Sequence, residues 1–385
     1  MSNTGTTTLA EPGTPFAVVD VTRAERNSAR LRERVDAHGV ALRPHVKTAK
    51  TVEAALLMHG GERGPITVST LAEAEGFAQS DFTDITYAVG LAPHKLPRII
   101  RLVERGVRLT VLLDSTPQAQ AVAAAAAERG VPIPALIEVD CDGHRGGLLP
   151  EQPALLEVGR ILHEAGCLAG VLSHAGESYF AVTPEAKEAA AESERAVTVA
   201  AAERLRGAGY PAATVSVGST PTAHFARDLT GVTEVRAGNY VFFDLVMAGI
   251  DVCSVEDLAL SVVVTVIGHR PEKGWILTDG GWMATSRDRG TAAQQVDQGY
   301  GLVTDLQGKL IPGLVMTDAS QEHGILTVRD GHQLPELPGG TRLRILPNHA
   351  CATAAQHRDY AVISPESSPS AAPEIRETWH RIQGW

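Results

Sequence analysis

Several short stretches of this chain carry side chains that could do chemistry. The first is RPHVKTAK, Arg43 to Lys50. Alternate residues of a strand share a face, so His45 and Lys47 point the same way. A lysine in a partly dry pocket has a lowered pKa and becomes nucleophilic. Such a lysine can form a Schiff base with a carbonyl compound. Only six of the 34 basic residues are lysines, so arginine covers most of the surface and Lys47 stands out in its strand-like setting. Lys50 is its competitor, but it falls where a helix should begin. His45 divides evenly between support and chemistry.

Two glycine-rich stretches come next: VGSTPT, Val217 to Thr222, and RAGNY, Arg236 to Tyr240. Glycine lets backbone N–H groups approach an anion, and Ser and Thr add hydroxyl donors. Each stretch also spells an ordinary turn. PNHACAT, Pro347 to Thr353, spaces His349 and Cys351 two apart. Imidazole plus thiolate favours zinc. On spacing alone, two donors read first as a hydrogen-bonded His and a buried thiol. SHAGESY (Ser173 to Tyr179) and DCDGHRGG (Asp140 to Gly147) offer His174, Glu177, Tyr179 and Arg145. DGGWMATSRDRG (Asp279 to Gly290) and QEHG (Gln321 to Gly324) offer Asp279 and His323, with no preference between turn and site.

These stretches need elements to hold them. From about residue 40, β-type runs alternate with helical segments: Val40–Val46, Ile66–Ser69, Ile85–Val89, Leu109–Leu113, Ala135–Val139, Leu168–Leu172, Ala213–Val217 and Val232–Val235. Glycines at 60, 106, 130, 166 and 209 follow helical segments, where a C′ glycine sits. Eight such units predict a (β/α)8 TIM-type barrel, an α/β fold. No G-x-G-x-x-G follows the first strand, which speaks against a dinucleotide fold. Barrel sites lie at strand C-termini, with phosphate bound after strands seven and eight. That puts Lys47, Arg145 and His174 at the mouth and the two glycine-rich stretches at the phosphate position. A strand-one lysine with such a phosphate site points to pyridoxal phosphate.

After Asp251 the rhythm becomes β-type runs joined by Gly-, Pro- and Asp-rich connections, beginning with LALSVVVTVIG (Leu258–Gly268). This predicts a smaller all-β domain, with helical character only in the last dozen residues. The resulting organisation is a polar segment over 1–15, a barrel over 16–250 and a β domain over 251–385. PESSPSAAP, Pro365 to Pro373, reads as a solvated linker.

Composition excludes other classes. A net charge of −11 speaks against nucleic-acid binding. No apolar run approaches the ~18 residues of a membrane span. Residues 1–15 lack the basic and apolar regions of a signal peptide, and four cysteines suit a reducing cytoplasm.

In this order, RPHVKTAK, HAGESY, VGSTPT, RAGNYVFFD and PNHACAT resemble the D-serine dehydratase and D-threonine aldolase family, pyridoxal-phosphate enzymes with the alanine-racemase-type fold. The resemblance covers about residues 14–365; the ensemble is specific, though no single motif is. It implies a Schiff-base lysine at Lys47 and phosphate ligands among Gly218, Ser219, Thr220, Gly238 and Asn239. It also implies a divalent metal at His349 and Cys351, with zinc favoured and manganese or magnesium as alternatives. Arg236 would face the pyridine nitrogen, with Arg145 as the rival cofactor contact. His45, Tyr179 and Tyr240 complete the cofactor set, and Lys47, His174 and Tyr179 the catalytic set. Dehydratase-like members pair His with Cys at the metal, and aldolase-like members pair His with Asp. Cys351 therefore favours dehydration of a D-β-hydroxy amino acid to a 2-oxo acid and ammonia. Aldol cleavage to glycine and an aldehyde is the alternative. The resemblance further implies a homodimer; if His349 and Cys351 face the same substrate as Lys47, the β domain is expected to fold back over the barrel mouth. A pyridoxal-phosphate carrier would lack the β domain, and a racemase would need a second catalytic base for which no motif stands out.

Overall fold

The computed structural model describes residues 7–364 and 371–385. The linker expected over 365–373 lies mostly outside the described residues. The chain forms two compact units, one of residues 1–27 and 241–381, the other of 28–240 and 382–385.

Strand β1 (Phe16–Asp20) is followed by the barrel strands β2 (Ala41–Leu42), β3 (Ile66–Val68), β4 (Asp84–Gly90), β5 (Arg108–Leu113), β6 (Ala135–Val139), β7 (Leu168–Ser173), β8 (Thr214–Val217) and β9 (Glu234–Val235). The eight are parallel in the order β2-β9-β8-β7-β6-β5-β4-β3. A parallel bridge between His45 and Thr67 joins the two ends. The predicted (β/α)8 barrel is therefore present. One layer of its interior is apolar, built on Leu112, Leu136 and Leu172 with Ala88 and Ala169 packed against them. Helices Val52–Met58, Leu71–Gln79 and Pro184–Gly207 start on Thr51, Thr70 and Thr183, whose hydroxyls accept N–H groups of the first turn. Gly130 ends the helix Thr116–Arg129 at φ 68°, where a side chain would be strained.

The second unit is antiparallel apart from one pairing, β1 with β16. Its strands are β10 (Leu260–Arg270), β11 (Trp275–Thr278), β12 (Gly301–Thr304), β13 (Leu310–Ala319), β14 (Gly324–Val328), β15 (Arg342–Pro347), β16 (Asp359–Ile363) and β17 (Ile375–His380). The order is β11-β14-β13-β12-β15-β10-β1-β16-β17, and a further β11–β10 pairing closes six of these strands into a ring. Strand alternation explains the β-branched run in β10. Val262, Val264 and Val266 pack with Ile276, Val303, Leu326 and Ile345, while Val263 packs on the other face with Leu9, Val18 and Ile363.

Three expectations are corrected. The 16–250 boundary put strand β1 with the barrel, but β1 pairs with β10 and β16 of the antiparallel sheet, in keeping with an opening segment that precedes the barrel strands and packs on the β domain. The last residues, expected to be helical, form strand β17 against β16, with Trp379 buried. The helix Val21–Asp36 was not expected; it buries only Ala24, Leu31 and Val35 as apolar anchors, a sparse pattern among charges.

Arg43, at the end of β2, is buried. It donates to Glu234 on β9 (2.8 Å) and to Asp84 on β4 (2.8 Å). Glu234 also accepts from the Ser216 hydroxyl on β8 (2.7 Å). Removing the guanidinium leaves a buried carboxylate uncompensated, which typically costs about 3 kcal/mol or more. Arg43→Met is expected to lower stability by about that amount in denaturant unfolding, whereas a loss within about 0.5 kcal/mol would show the network to be incidental.

Candidate active site

Strand pairing places the first motif. The His45 N–H donates to Ala237 O (2.8 Å) and the Val46 N–H to Thr67 O (2.9 Å), so the backbone is pinned on both sides. Lys47 lies in the turn that follows rather than on the strand, and Lys50 N closes that turn on Val46 O (2.8 Å). The side chains of His45 and Lys47 nevertheless line one cavity, together with Ala88, Leu112, Arg145, Leu172, His174 and Arg236. Its floor is the apolar barrel interior, its polar lining is basic, and no carboxylate lines it.

The two lysines differ in their partners. Lys50 is ion-paired to the buried carboxylate of Glu73 (3.0 Å). Lys47 has no hydrogen-bond or ion-pair partner among the described residues. His174 donates from Nδ1 to Gly218 O (3.0 Å), which leaves Nε2 as an acceptor. Burial, and then the positive charge of Lys47, push the His174 imidazole down to about 3. The same two causes hold His45 well below the ordinary imidazole range, and its Nδ1 is buried without a partner. Arg236 is buried, with Nε on the Ser216 hydroxyl (2.8 Å) and Nη2 on the Ser173 carbonyl. The Arg145 guanidinium is mostly exposed and lies 3.6 Å from Glu138.

The loops after β7 and β8 are tied together by Glu194, a residue the sequence reading missed. It projects from the helix Pro184–Gly207 and is enclosed. Its carboxylate accepts the Ala175 N–H (3.0 Å), the Gly218 N–H (2.9 Å) and the Thr222 hydroxyl (2.8 Å). Gly218 N–H, expected to face a phosphate, is thus committed to Glu194. Ser219 is committed too: its N–H goes to Thr222 Oγ1 (3.0 Å), and its hydroxyl bonds Ser178 Oγ (2.7 Å). Thr220 Oγ1 and Tyr240 Oη are buried without partners. Asn239 is buried beside them in sequence. A Cβ on Gly238 would stand 2.4 Å from His45 O, so this glycine lets the RAGNY loop press against the His45 backbone. Tyr179 is half-buried, its ring centre 6.4 Å from that of His174. Glu177, at the rim, pairs with His144 (2.7 Å) and joins the loops after β6 and β7. A free lysine, basic lining and orphaned buried donors fit an anionic carbonyl cofactor such as pyridoxal phosphate.

The other unit holds His349 and Cys351 where β15 ends. His349 Nδ1 lies 2.6 Å from Asp288 Oδ2. Burial opposes protonation of His349, but hydrogen bonds to Asp288 and Cys351 outweigh it and raise the imidazole to about 11. The neighbours are clamped: Asn348 donates to Gly299 O (2.6 Å), and Ala350 N–H bonds Asp244 (2.8 Å). With Nδ1 on Asp288, Nε2 is the nitrogen left to ligate. Imidazole and thiol side by side fit a divalent cation. Among the described residues no three His, Cys, Asp or Glu side chains group as a ligand set, so coordination would be open to water or substrate. Asp288 was missed because 61 residues separate it from His349 and it sits in an ordinary-looking turn. The sequence leaves Asp279 and His323 open between turn and site, and the bonds they make are within their own unit. Asp279 accepts from Thr265 N–H (2.7 Å) and the Thr14 hydroxyl, and His323 O accepts from Ser320 N–H (2.8 Å) in a turn.

Known proteins resemble the chain along its length. Residues 19–246 match the alanine racemase N-terminal domain, and 259–363 match the serine dehydratase domain. The D-threo-3-hydroxyaspartate dehydratase of Delftia sp. (strain HT23) is 54% identical, with 98% of this chain and 99% of that protein aligned. Its solved structure superposes with a TM-score of 0.93 over 98% of this chain and 100% of that chain, and a cysteine-to-alanine mutant of it is known in a metal-free form. The D-serine dehydratase of Dictyostelium discoideum is 30% identical over 92% of this chain and 94% of that protein. The D-threonine aldolase structure from Filomicrobium marinum, 25% identical, gives a TM-score of 0.82 over 98% of this chain and 97% of that one. Among the described residues no helix is long and apolar enough to cross a membrane.

The electrostatics of the cavity set a pH dependence. An unfolded imidazole binds a proton near 6.5, but native His174 does so only near 3. Between these values the unfolded chain holds the extra proton, so stability falls as pH drops below about 6.5. His174→Gln removes that proton, and the variant should lose less stability between pH 7 and pH 4.5 than the wild type, by up to about 1.4 kcal/mol per pH unit. Parallel denaturation curves at the two pH values would contradict the buried neutral imidazole.

Proposed function

The chain belongs to the family in which an alanine racemase N-terminal domain precedes a serine dehydratase domain, and from that premise we propose that it is a pyridoxal-phosphate- and metal-dependent dehydratase of D-β-hydroxy amino acids. We take 3-hydroxyaspartate as the first substrate to test, because the 54%-identical relative is named for it. The observation that carries the reading is Lys47: an amine without a partner among the described residues, in a cavity lined by His45, Arg145, His174 and Arg236.

Lys47 would hold the cofactor carbonyl, and Arg236, Thr220, Asn239 and Tyr240 would complete its binding, with Gly218, Ser219 and Gly238 shaping the loops around it. Pyridoxal phosphate, when bound, supplies an electron sink for negative charge at the substrate Cα. Lys47 as a free amine takes the Cα proton. His174 holds its proton on Nδ1 and offers Nε2 as an acceptor, but a pKa of about 3 makes it a weak base. It therefore orients a donor group rather than removing a proton. In the aldolase alternative the base would be His174 or a metal-bound hydroxide, and the low pKa of His174 speaks only against the first. Tyr179, beside His174, is the second side chain that could orient substrate. His349 and Cys351 would hold the metal, for which zinc suits the imidazole–thiolate pair. The metal, when bound, supplies Lewis acidity for the departing β-hydroxyl. Elimination of water followed by hydrolysis of the enamine product yields a 2-oxo acid and ammonia. Arginine and lysine around the cavity suit a substrate with a second carboxylate.

Product analysis tests this directly. D-threo-3-hydroxyaspartate should give oxaloacetate and ammonia in equal amounts, with D-serine giving pyruvate more slowly. Glycine and glyoxylate as the main products would establish aldol cleavage instead.

A further inference from the structure

The turn that delivers Asp288 is built for one purpose. Ser286 has φ 77° and ψ 157°, a backbone region rare for any residue but glycine. Its N–H is held by Trp282 O (2.8 Å), and its hydroxyl accepts the N–H of Asp288 (2.9 Å). One oxygen of Asp288 accepts the Gly290 N–H (3.0 Å), and the other meets His349 Nδ1. The flanking arginines are engaged elsewhere. Arg287 lies over the Trp282 ring (5.1 Å), and Arg289 is paired with Asp297 (2.6 Å). The Asp288 carboxylate is therefore directed to His349 and to no cation of its own turn. Thr353, in the helix after His349, donates to Thr285 O (2.7 Å) and fastens the two segments together. A strained turn, a carboxylate reserved from neighbouring arginines and a clamped histidine are more than one surface ion pair requires.

We propose that Asp288 is the positioning residue of the metal centre, holding the His349 proton on Nδ1 so that Nε2 is presented, with Cys351, to a divalent cation. The inference rests on the metal reading of His349 and Cys351. A carboxylate on the far nitrogen fixes ring orientation and makes the ligating nitrogen more basic, and its loss commonly weakens metal binding by about 10- to 100-fold. Asparagine keeps an oxygen for the N–H but removes the charge; alanine removes both.

The test is calorimetric titration of Zn²⁺ and Mn²⁺ into chelator-treated, pyridoxal-phosphate-loaded wild type and the variants Asp288→Asn, Asp288→Ala and His349→Ala. Asp288→Asn should weaken both metals by about tenfold and Asp288→Ala by up to about 100-fold. Cofactor absorbance should stay at the wild-type value, and the metal-free protein, which loses the Asp288–His349 pair, should fall in unfolding midpoint by less than the metal-loaded protein does. A Co²⁺-loaded Asp288→Asn protein should keep its thiolate-to-cobalt charge-transfer band, because Cys351 is untouched. Wild-type metal affinity in both Asp288 variants would overturn the positioning role while leaving the His349–Cys351 site standing. Should wild type bind no better than His349→Ala, the site itself falls, and this inference with it. Equal loss of metal affinity and of metal-free stability would assign Asp288 to folding alone.

Discussion

Barrel closure through residues 41 to 46 is the constraint on which the rest depends. An eight-stranded parallel sheet must join its first and last strands, yet β2 has only two regular residues. The gap is bridged by backbone bonds that continue past it. Arg43 N–H reaches Val235 O (2.9 Å), His45 N–H reaches Ala237 O, and Thr67 N–H returns to Pro44 O (2.8 Å). Proline fits at residue 44 because no ladder bond needs its missing N–H. Once both neighbours hold this segment, the direction of Lys47 is decided. Gly238 makes the fit possible by bringing its loop against His45 without a side chain.

The two candidate centres use carboxylates in the same way. Each holds a buried or clamped acid that does not line the reactive space but orients the groups that do. Glu194 gathers two backbone N–H groups and a hydroxyl, and so fixes Gly218, whose carbonyl sets the tautomer of His174. Asp288 sets the tautomer of His349. Among the described residues the barrel cavity is lined by the cations Lys47, Arg145 and Arg236 and by no carboxylate, which suits an anionic cofactor and substrate. The cost falls on the histidines, which stay neutral because burial and the charge of Lys47 oppose their protonation.

Much of this was legible in the sequence. Eight β-type runs and their C-terminal glycines predicted the barrel within a few residues, because hydrophobic period and turn chemistry are local. The predicted side-by-side placement of His45 and Lys47 also holds, although strand parity is not the reason: Lys47 is carried by a turn. What the sequence hid was non-local. Strand β12 is only four residues long, and β17 reads as polar because its buried side chain is Trp379 alone. The partners of strand β1, β10 and β16, lie far away in sequence. Glu194 is one acid among many on a charged helix, and nothing in its neighbourhood shows that it faces inward.

The central claim is that Lys47, which has no side-chain partner among the described residues, is the lysine that carries the cofactor. Borohydride reduction of the pyridoxal-phosphate-loaded protein, followed by peptide mapping, tests it most directly. The account predicts a single phosphopyridoxyl label on Lys47 and none on Lys50, whose ammonium is held by Glu73. A label on Lys50, or on neither lysine, would contradict it.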